Sequence, residues 1–285
     1  MNRRDLLKNV AGAGVAASAL GAAASADAAQ SFPGIDVIVA KGKSYTDPSC
    51  KYPGFAPGQR IENGLRIDRD VAVKLRDGAT MYVDIYRGAN ETEKVPAIIA
   101  IGFGKQPMER ERIGVPQSYP GGEEYGLITV SNYAKVEAPD PMYWCKHGYA
   151  IVNCDGRGAF RSDGTAQIYG SQGGRDYADL VDFLGVQDWC NGKVGMSGNS
   201  QLATWQWMTA AQNPKHLACI APWEGWHDLY RQIVMPGGIP EVGIRGPAVA
   251  NWCGNGIEDI LAMMKKYPLM NAYWEDKIVP MEKIN

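Results

Sequence analysis

The chain has 285 residues, of which 29 are Lys or Arg and 31 are Asp or Glu, so its formal net charge is −2. Hydrophobic residues make up 45% of the sequence and charged residues 21%, which is the composition of a globular protein with a sizeable core. This nearly neutral balance excludes the basic surface that nucleic-acid binding requires, so we expect no nucleic-acid partner.

The first thirty residues have the pattern of an export signal. Arg3 and Arg4 precede two leucines and a mildly apolar run rich in Ala and Gly, as in signals of the twin-arginine type. Ala26-Asp27-Ala28 offers a cleavage site of the A-x-A kind. The run is shorter than the roughly 20 residues of a membrane span, and Ala and Gly contribute little transfer free energy. We therefore predict a signal peptide over residues 1–28, a periplasmic or secreted protein and no stable membrane span.

After the signal, the sequence predicts an α/β fold. The alternating stretch from Asp70 to Arg87 predicts a hairpin that turns at residues 76–79. Apolar runs predict buried strands, and apolar residues at i, i+3, i+4 and i+7 predict an amphipathic helix. The strands are predicted at 97–101, 149–154, 194–197 and 217–221, and the helices at 140–147, 176–186 and 200–212.

This element order favours a mostly parallel sheet with helices on both faces. Beyond Pro222 the sequence is rich in Trp, Gly, Pro and Met without strand alternation, which predicts a helical insertion. We expect an N-terminal extension over 29–69, a core over 70–222 and a partial helical cap over 223–285.

The hexapeptide Gly198-Asn199-Ser200-Gln201-Leu202-Ala203 joins a predicted strand to a predicted helix. This is the context of a nucleophile elbow, in which a strained serine needs small neighbours two residues before it and three after it. Such an elbow aims the backbone N–H of Gln201 at an oxyanion and places Ser200 at a helix N-terminus. The structural alternative is a serine that caps the helix.

Four ordered segments resemble the cocaine-esterase and X-Pro dipeptidyl-peptidase group of α/β-hydrolases. They are RDGATMYVDIYR, HGYAIVNCDGRGAFRSDG, DFLGVQDWCNGKVGMSGNSQLATWQWMTAA and APWEGWHDLYRQIVMPGGIP. The resemblance implies an α/β-hydrolase core, a Ser-Asp-His triad with Ser200 as nucleophile, and a small ester or peptide substrate. It implies no metal and no organic cofactor.

The chain departs from this family in two places. Where the family has an oxyanion tyrosine, Phe103 has no hydroxyl. A backbone N–H of Gly102 or Gly104 could replace it, and if nothing does, the loss of one donor should lower the rate by about two to three orders of magnitude. The family's Asp and His lie on strands after the cap, and a β-sandwich domain follows them. We expect these last strands, the β-sandwich and the two catalytic residues to be absent here, with a second polypeptide as a candidate source. Without a base, a serine hydroxyl is a weak nucleophile.

The three histidines are the local candidates for that base. His147 precedes a predicted cap at Gly148, and His216 lies in a turn at the opposite end of the sheet, so both favour structural roles. His227 follows the C-terminal end of a strand, where sites gather in this architecture, and has Glu224 and Asp228 nearby.

Candidate substrate-binding residues follow the last predicted strand. Their aromatic rings would enclose an apolar group, and their carboxylates would pair with an ammonium group, whereas the structural alternative is packing inside the cap. They are Trp223, Glu224, Trp226, Asp228 and Tyr230. Asp155 and Arg157 resemble a structural turn of the family, in which an Asp–Arg pair fixes a loop.

Two further functions remain open at this point. A non-catalytic fragment or pseudoenzyme would explain the missing triad residues and Phe103, and a binding module would use the aromatic cap. The six cysteines show no metal-ligand spacing. Cys154 and Cys219 lie in apolar runs and predict buried thiols, and a disulfide among the other four is open.

Overall fold

The computed structural model describes residues 31–285 apart from 51, 53, 103–130, 136 and 244–248. After a short strand β1 (Val39–Lys41), the described residues form a seven-stranded mixed sheet in the order β2-β3-β4-β6-β5-β7-β8. Its strands are β2 (Gly58–Glu62), β3 (Leu65–Lys74), β4 (Thr80–Gly88), β5 (Val95–Gly102), β6 (Ala150–Asp155), β7 (Cys190–Asn199) and β8 (Leu217–Trp223).

The sheet has an antiparallel half and a parallel half. β2, β3, β4 and β6 pair antiparallel, whereas β6, β5, β7 and β8 pair parallel. As predicted, a hairpin therefore leads into strands that alternate with helices. β6 is buried along its whole length, which agrees with its largely apolar sequence, although Asn153 and Asp155 are buried with it. The sheet begins at Gly58, so β2 and the first residues of β3 come from the stretch that the sequence analysis assigns to the extension.

Three helices belong to this core. They are α1 (Pro141–Trp144), which continues as a 3₁₀ turn over Cys145–His147, α2 (Ser171–Gly185) and α3 (Gln201–Ala210). Asp140 caps α1 by accepting the N–H of Met142, and Gly148 ends the turn with a φ of 77°. The predicted short helix with its glycine stop is thus confirmed.

Helix α2 begins five residues before its predicted start. Its first turn contains Gly173 and Gly174, and a Cβ at Gly173 would lie 2.2 Å from the ring of Trp205. Glycine is required there because α2 and α3 approach closely. Apolar periodicity does not detect such a turn, since its packing depends on the absence of side chains.

The cap and the N-terminal extension pack together. β1 pairs antiparallel with β9 (Gly256–Glu258), and a disulfide joins Cys50 to Cys253. The rest of the described cap is largely short helices: a π-helical turn over Tyr230–Val234, a 3₁₀ turn over Pro236–Gly238, α4 (Ile260–Lys266), α5 (Ala272–Glu275) and a 3₁₀ turn over Met281–Lys283. In the described part of the chain, no helix combines the length and apolar character needed to cross a membrane.

Two cysteine predictions have different outcomes. Cys154 is a buried free thiol, as expected. Cys219 is also free but exposed, so the prediction of a buried thiol is wrong there. The reason is topological, since β8 is an edge strand of the described sheet and every residue of it is exposed or half-buried.

Candidate active site

Ser200 lies at a sharp turn between β7 and α3. Its backbone has a φ of 59° and a ψ of −120°, a region that residues with a side chain rarely adopt. The residue is half-buried. Strained torsions of this kind persist only where the surrounding structure enforces them, and they cluster at functional sites.

Backbone hydrogen bonds hold this turn from both sides. The N–H of Ser200 donates to the carbonyl of Trp223 at the end of β8 (2.9 Å), and the N–H of Asn199 donates to the carbonyl of Glu137 (3.1 Å). The carbonyl of Ser200 accepts the N–H of Ala203 at the start of α3 (3.0 Å). The turn is thus fixed by the neighbouring strand, a preceding loop and its own helix.

The small residues on either side of Ser200 are sterically necessary. Gly198 has a φ of 151°, and a Cβ placed there would lie 2.6 Å from the Cβ of Leu202. Ala203 is fully buried, and a Cβ at Gly225 would lie 2.8 Å from the Ala203 Cβ. The chain therefore approaches itself closely at both positions that the elbow pattern requires to be small.

Gln201 is the first residue of α3. Its backbone N–H has no acceptor among the described residues, as is usual for the first N–H groups of a helix. Its side chain is buried, and its Oε1 accepts a hydrogen bond from the Tyr169 hydroxyl (3.2 Å). An unpaired N–H beside the serine, at the positive end of a helix dipole, is suited to bind a developing oxyanion.

Two carboxylates accompany the elbow. Glu137 contributes the carbonyl that binds Asn199, and Glu224 directly follows the strand residue whose carbonyl binds Ser200. Both have positive φ angles, 58° and 50°. Partial burial and the negative charge of Glu224 raise the pKa of Glu137. The sequence analysis did not identify Glu137, because a lone Glu in a loop gives no local signal.

A buried lysine lies on the same loop as Glu137. Lys135 donates from Nζ to the carbonyl of Ala100 in β5 (3.1 Å). Burial lowers the pKa of this ammonium to about 8, with partial compensation from nearby groups that include Asp155. The loop thus contacts β5 through Lys135 and β7 through Glu137.

The three histidines are engaged elsewhere or exposed. His147 Nδ1 lies 2.8 Å from the carbonyl of Tyr143, and His216 Nδ1 lies 3.1 Å from Oδ1 of Asp182. His227 is exposed, and its backbone binds Gln232 and Val279. Among the described residues, no hydrogen bond joins a histidine to the hydroxyl of Ser200.

The predicted substrate-binding residues divide into two groups. Trp223 is 64% exposed and Glu224 is also exposed, directly beside the serine turn. Trp226, Asp228 and Tyr230 instead make contacts within the fold: Trp226 packs edge-to-face against Tyr169, Asp228 pairs with Arg231, and the Tyr230 hydroxyl donates to the carbonyl of Pro268.

Two other candidate positions complete this comparison. Phe103 lies outside the described residues. Arg157 does fix a loop, but its partners are Asp176 and Asp77, each 2.7 Å away. The expected pairing partner Asp155 contributes its backbone carbonyl, which accepts the Ser162 hydroxyl (2.8 Å).

The chain is similar to several known hydrolases. The chain is 28% identical over 171 residues to the cocaine esterase of Rhodococcus sp. (strain MB1 Bresler). This aligned region covers 60% of this chain and 26% of the esterase. It superimposes on the crystal structure of a CocE/NonD family hydrolase from Staphylococcus aureus with a TM-score of 0.68 and 31% identity, covering 78% of this chain and 40% of that one.

An α-amino acid ester hydrolase shares the fold, with a TM-score of 0.50 and 16% identity over 83% of this chain. The chain spans less than half the length of each of these relatives. These likenesses confirm the α/β-hydrolase core that the sequence predicts. Residues 77–251, which contain β7, the serine turn and α3, match the family of X-Pro dipeptidyl-peptidases called S15, and the chain belongs to that family.

Proposed function

We propose that this protein is a serine hydrolase that cleaves an ester or the peptide bond of an X-Pro substrate. The observation that carries the proposal is the strained turn at Ser200, followed at once by the unpaired N–H of Gln201. A serine that only caps a helix accepts an N–H of the first turn with its side chain, and no such hydrogen bond is formed by Ser200.

The chemistry would proceed through an acyl-enzyme. The Ser200 Oγ attacks the carbonyl carbon of the substrate and transfers its proton to a base, while the carbonyl oxygen becomes an oxyanion that the N–H of Gln201 binds. Collapse of this intermediate breaks the ester or amide bond, and the leaving group takes up the proton. Water then attacks the acyl group, which releases the acid and restores the serine hydroxyl.

The base and the acid that orients it would come from outside these 285 residues, either from a continuation of the chain or from a second polypeptide. This part of the proposal rests on the histidines, since His147 and His216 bind other groups and His227 forms no hydrogen bond with Ser200. The N–H of Gly102 or Gly104 would supply the second oxyanion donor in place of the tyrosine hydroxyl of related enzymes. Trp223 and Glu224 would contact the substrate, because both are exposed beside the turn.

A fluorophosphonate probe tests the nucleophile. We would treat the chain with the probe from about pH 6 to 9, alone and mixed with the C-terminal part of the Staphylococcus aureus hydrolase, and locate the label by peptide mass spectrometry. We expect the label on Ser200 in the mixture. It should be absent in Ser200→Ala and retained in Ser197→Ala, which changes a serine of the preceding strand. If Ser200 stays unlabelled under every condition, the chain is not a serine hydrolase.

We also propose that the protein is exported through the twin-arginine pathway. The disulfide between Cys50 and Cys253 supports this proposal, because disulfides persist mainly in oxidising compartments. A reporter fused after residue 30 should reach the periplasm, and replacement of Arg3 and Arg4 by Lys should retain it in the cytoplasm. Equal export of both fusions would exclude this pathway.

A further inference from the structure

Tyr169 has an unusual backbone for a large buried side chain. It is 2% exposed, lies directly before Gly170, the N-cap of α2, and has a φ of 51°. Bulky residues rarely adopt a positive φ, so the surrounding structure must hold this residue in place.

A buried ion pair supplies that restraint. Lys277 and Glu258 are both inaccessible to solvent, and Lys277 Nζ lies 2.6 Å from Glu258 Oε2. The same ammonium donates to the carbonyl of Tyr169 (3.0 Å), and the same carboxylate oxygen accepts the N–H of Ile168 (3.0 Å). The two charges therefore hold the backbone just before and just after the Tyr169 side chain.

The side chain of Tyr169 reaches the elbow. Its hydroxyl donates to Oε1 of Gln201 (3.2 Å), and its ring packs against Trp205 of α3 and Trp226 of the cap, with ring centroids 5.2 Å apart in both cases. Gln201 is the residue whose N–H lies beside Ser200. Because the amide side chain of Gln201 is fixed from within the core, rotation of the peptide between Ser200 and Gln201 is restricted.

We infer that Tyr169 is a positioning residue for this site, acting through Gln201 to orient the backbone N–H that binds the oxyanion. The inference rests on the proposed serine mechanism and adds a residue to it. Tyr169 does not touch the substrate. It links the buried Lys277–Glu258 pair in the cap to the first residue of α3, so a distant part of the chain sets the direction of one N–H group.

A double-mutant cycle tests this role. Tyr169→Phe and Gln201→Leu are each expected to slow fluorophosphonate labelling of Ser200 about tenfold, since a small misplacement of a catalytic group has effects of that size or larger. The double variant should be no slower than either single variant, because both changes remove the same contact. The inference would be overturned if Tyr169→Phe were labelled at the wild-type rate. It would also be overturned if the rate decrease in the double variant equalled the product of the two single decreases.

Tyr177→Phe is the matched control. Tyr177 is buried and packs against Trp205 at 5.2 Å, as Tyr169 does, but its hydroxyl lies against Gly156 instead of Gln201. Any destabilisation from the loss of a buried hydroxyl should appear in both Phe variants as a lower Tm. Only Tyr169→Phe should change the labelling rate, and an equal change in Tyr177→Phe would reduce the role of Tyr169 to packing.

A second measurement separates this inference from the proposed function. If the wild-type chain is not labelled in any mixture, the serine mechanism fails, and the positioning role is then measured by NMR. The backbone ¹⁵N order parameter of Gln201 should be lower in Tyr169→Phe than in the wild type, because the peptide loses a restraint. The order parameter should be unchanged in Tyr177→Phe. An unchanged Gln201 order parameter in Tyr169→Phe would show that the hydroxyl does not fix this peptide.

Discussion

Cys50 and Cys253 are 203 residues apart in the sequence and are joined by a disulfide that ties the N-terminal extension to the cap. The disulfide joins two segments that backbone hydrogen bonds also connect. Gly254 donates its N–H to the carbonyl of Lys43, and β1 pairs with β9 just beyond. The extension is therefore an integral part of the cap, held by both covalent and hydrogen-bonded contacts.

Cys50→Ser should destabilise the protein. Cross-linking so long a loop restricts the unfolded chain, and the loss of such a bridge costs about 3–5 kcal/mol. Urea unfolding should show a lower midpoint for Cys50→Ser and for wild type treated with dithiothreitol, and the two decreases should be similar. Cys219→Ser removes an exposed free thiol and should leave the midpoint unchanged. A Cys50→Ser midpoint equal to that of the wild type would mean that the disulfide does not form.

Gly198→Ala should disrupt the serine turn more than an ordinary glycine replacement does. The φ of 151° disfavours any side chain, and the new Cβ would collide with Leu202. Together these effects should lower the free energy of unfolding by about 2–5 kcal/mol. Gly192→Ala is the control, because Gly192 also has a positive φ, 87°, but has open space around it. It should cost only about 1–2 kcal/mol. Equal losses in thermal unfolding would show that Gly198 is needed for its torsion alone.

The elbow could be predicted from the sequence because its requirements are local. The strand before Ser200, the helix after it and the small residues Gly198 and Ala203 all lie within one continuous segment. The close approaches at Gly198 and Ala203 show why that pattern is specific: a Cβ at Gly198 would lie 2.6 Å from Leu202, and the Ala203 Cβ lies so near Gly225 that a Cβ there would be 2.8 Å away.

The contacts that support the elbow could not be predicted, because they join distant segments. Lys277 and Tyr169 are separated by 108 residues, and a Lys in a short cap segment has no pattern that indicates burial. Glu137 contacts Asn199 through its backbone carbonyl. Any residue type at position 137 could make this contact, so the sequence gives no sign of it. The pairing of Cys50 with Cys253 was also open, since spacing does not determine disulfide connectivity.

Lys135→Met should change how stability depends on pH. The pKa of Lys135 is about 8 in the folded protein against 10.5 for an ordinary lysine, so the unfolded state binds more protons between these values. Its contribution to stability is therefore fully present above pH 10.5 and is lost as the pH falls through 8. As the pH rises from 8 to 10.5, the free energy of unfolding of the wild type should increase by on the order of 3 kcal/mol relative to that of Lys135→Met.

The measurement for Lys135 is urea unfolding at several pH values from 7 to 10.5. The difference between wild type and Lys135→Met removes the contributions of those tyrosines and cysteines that titrate in the same range and do not interact with Lys135. Lys265→Met replaces an exposed lysine of α4 and should show the pH dependence of the wild type. Parallel curves for wild type and Lys135→Met would contradict the lowered pKa.

Glu224→Gln should lower the pKa of Glu137. Partial burial and the negative charge of Glu224 both raise that pKa, so removal of the charge leaves only the effect of burial. A ¹³C-detected NMR titration of the Glu137 side-chain carboxyl would measure the change directly. Glu275→Gln, which removes an exposed carboxylate at the end of α5, is the control and should leave the pKa of Glu137 unchanged. If Glu137 titrates at the same pH in all three proteins, the two carboxylates beside Ser200 do not interact, and a substrate cation would gain nothing from their proximity.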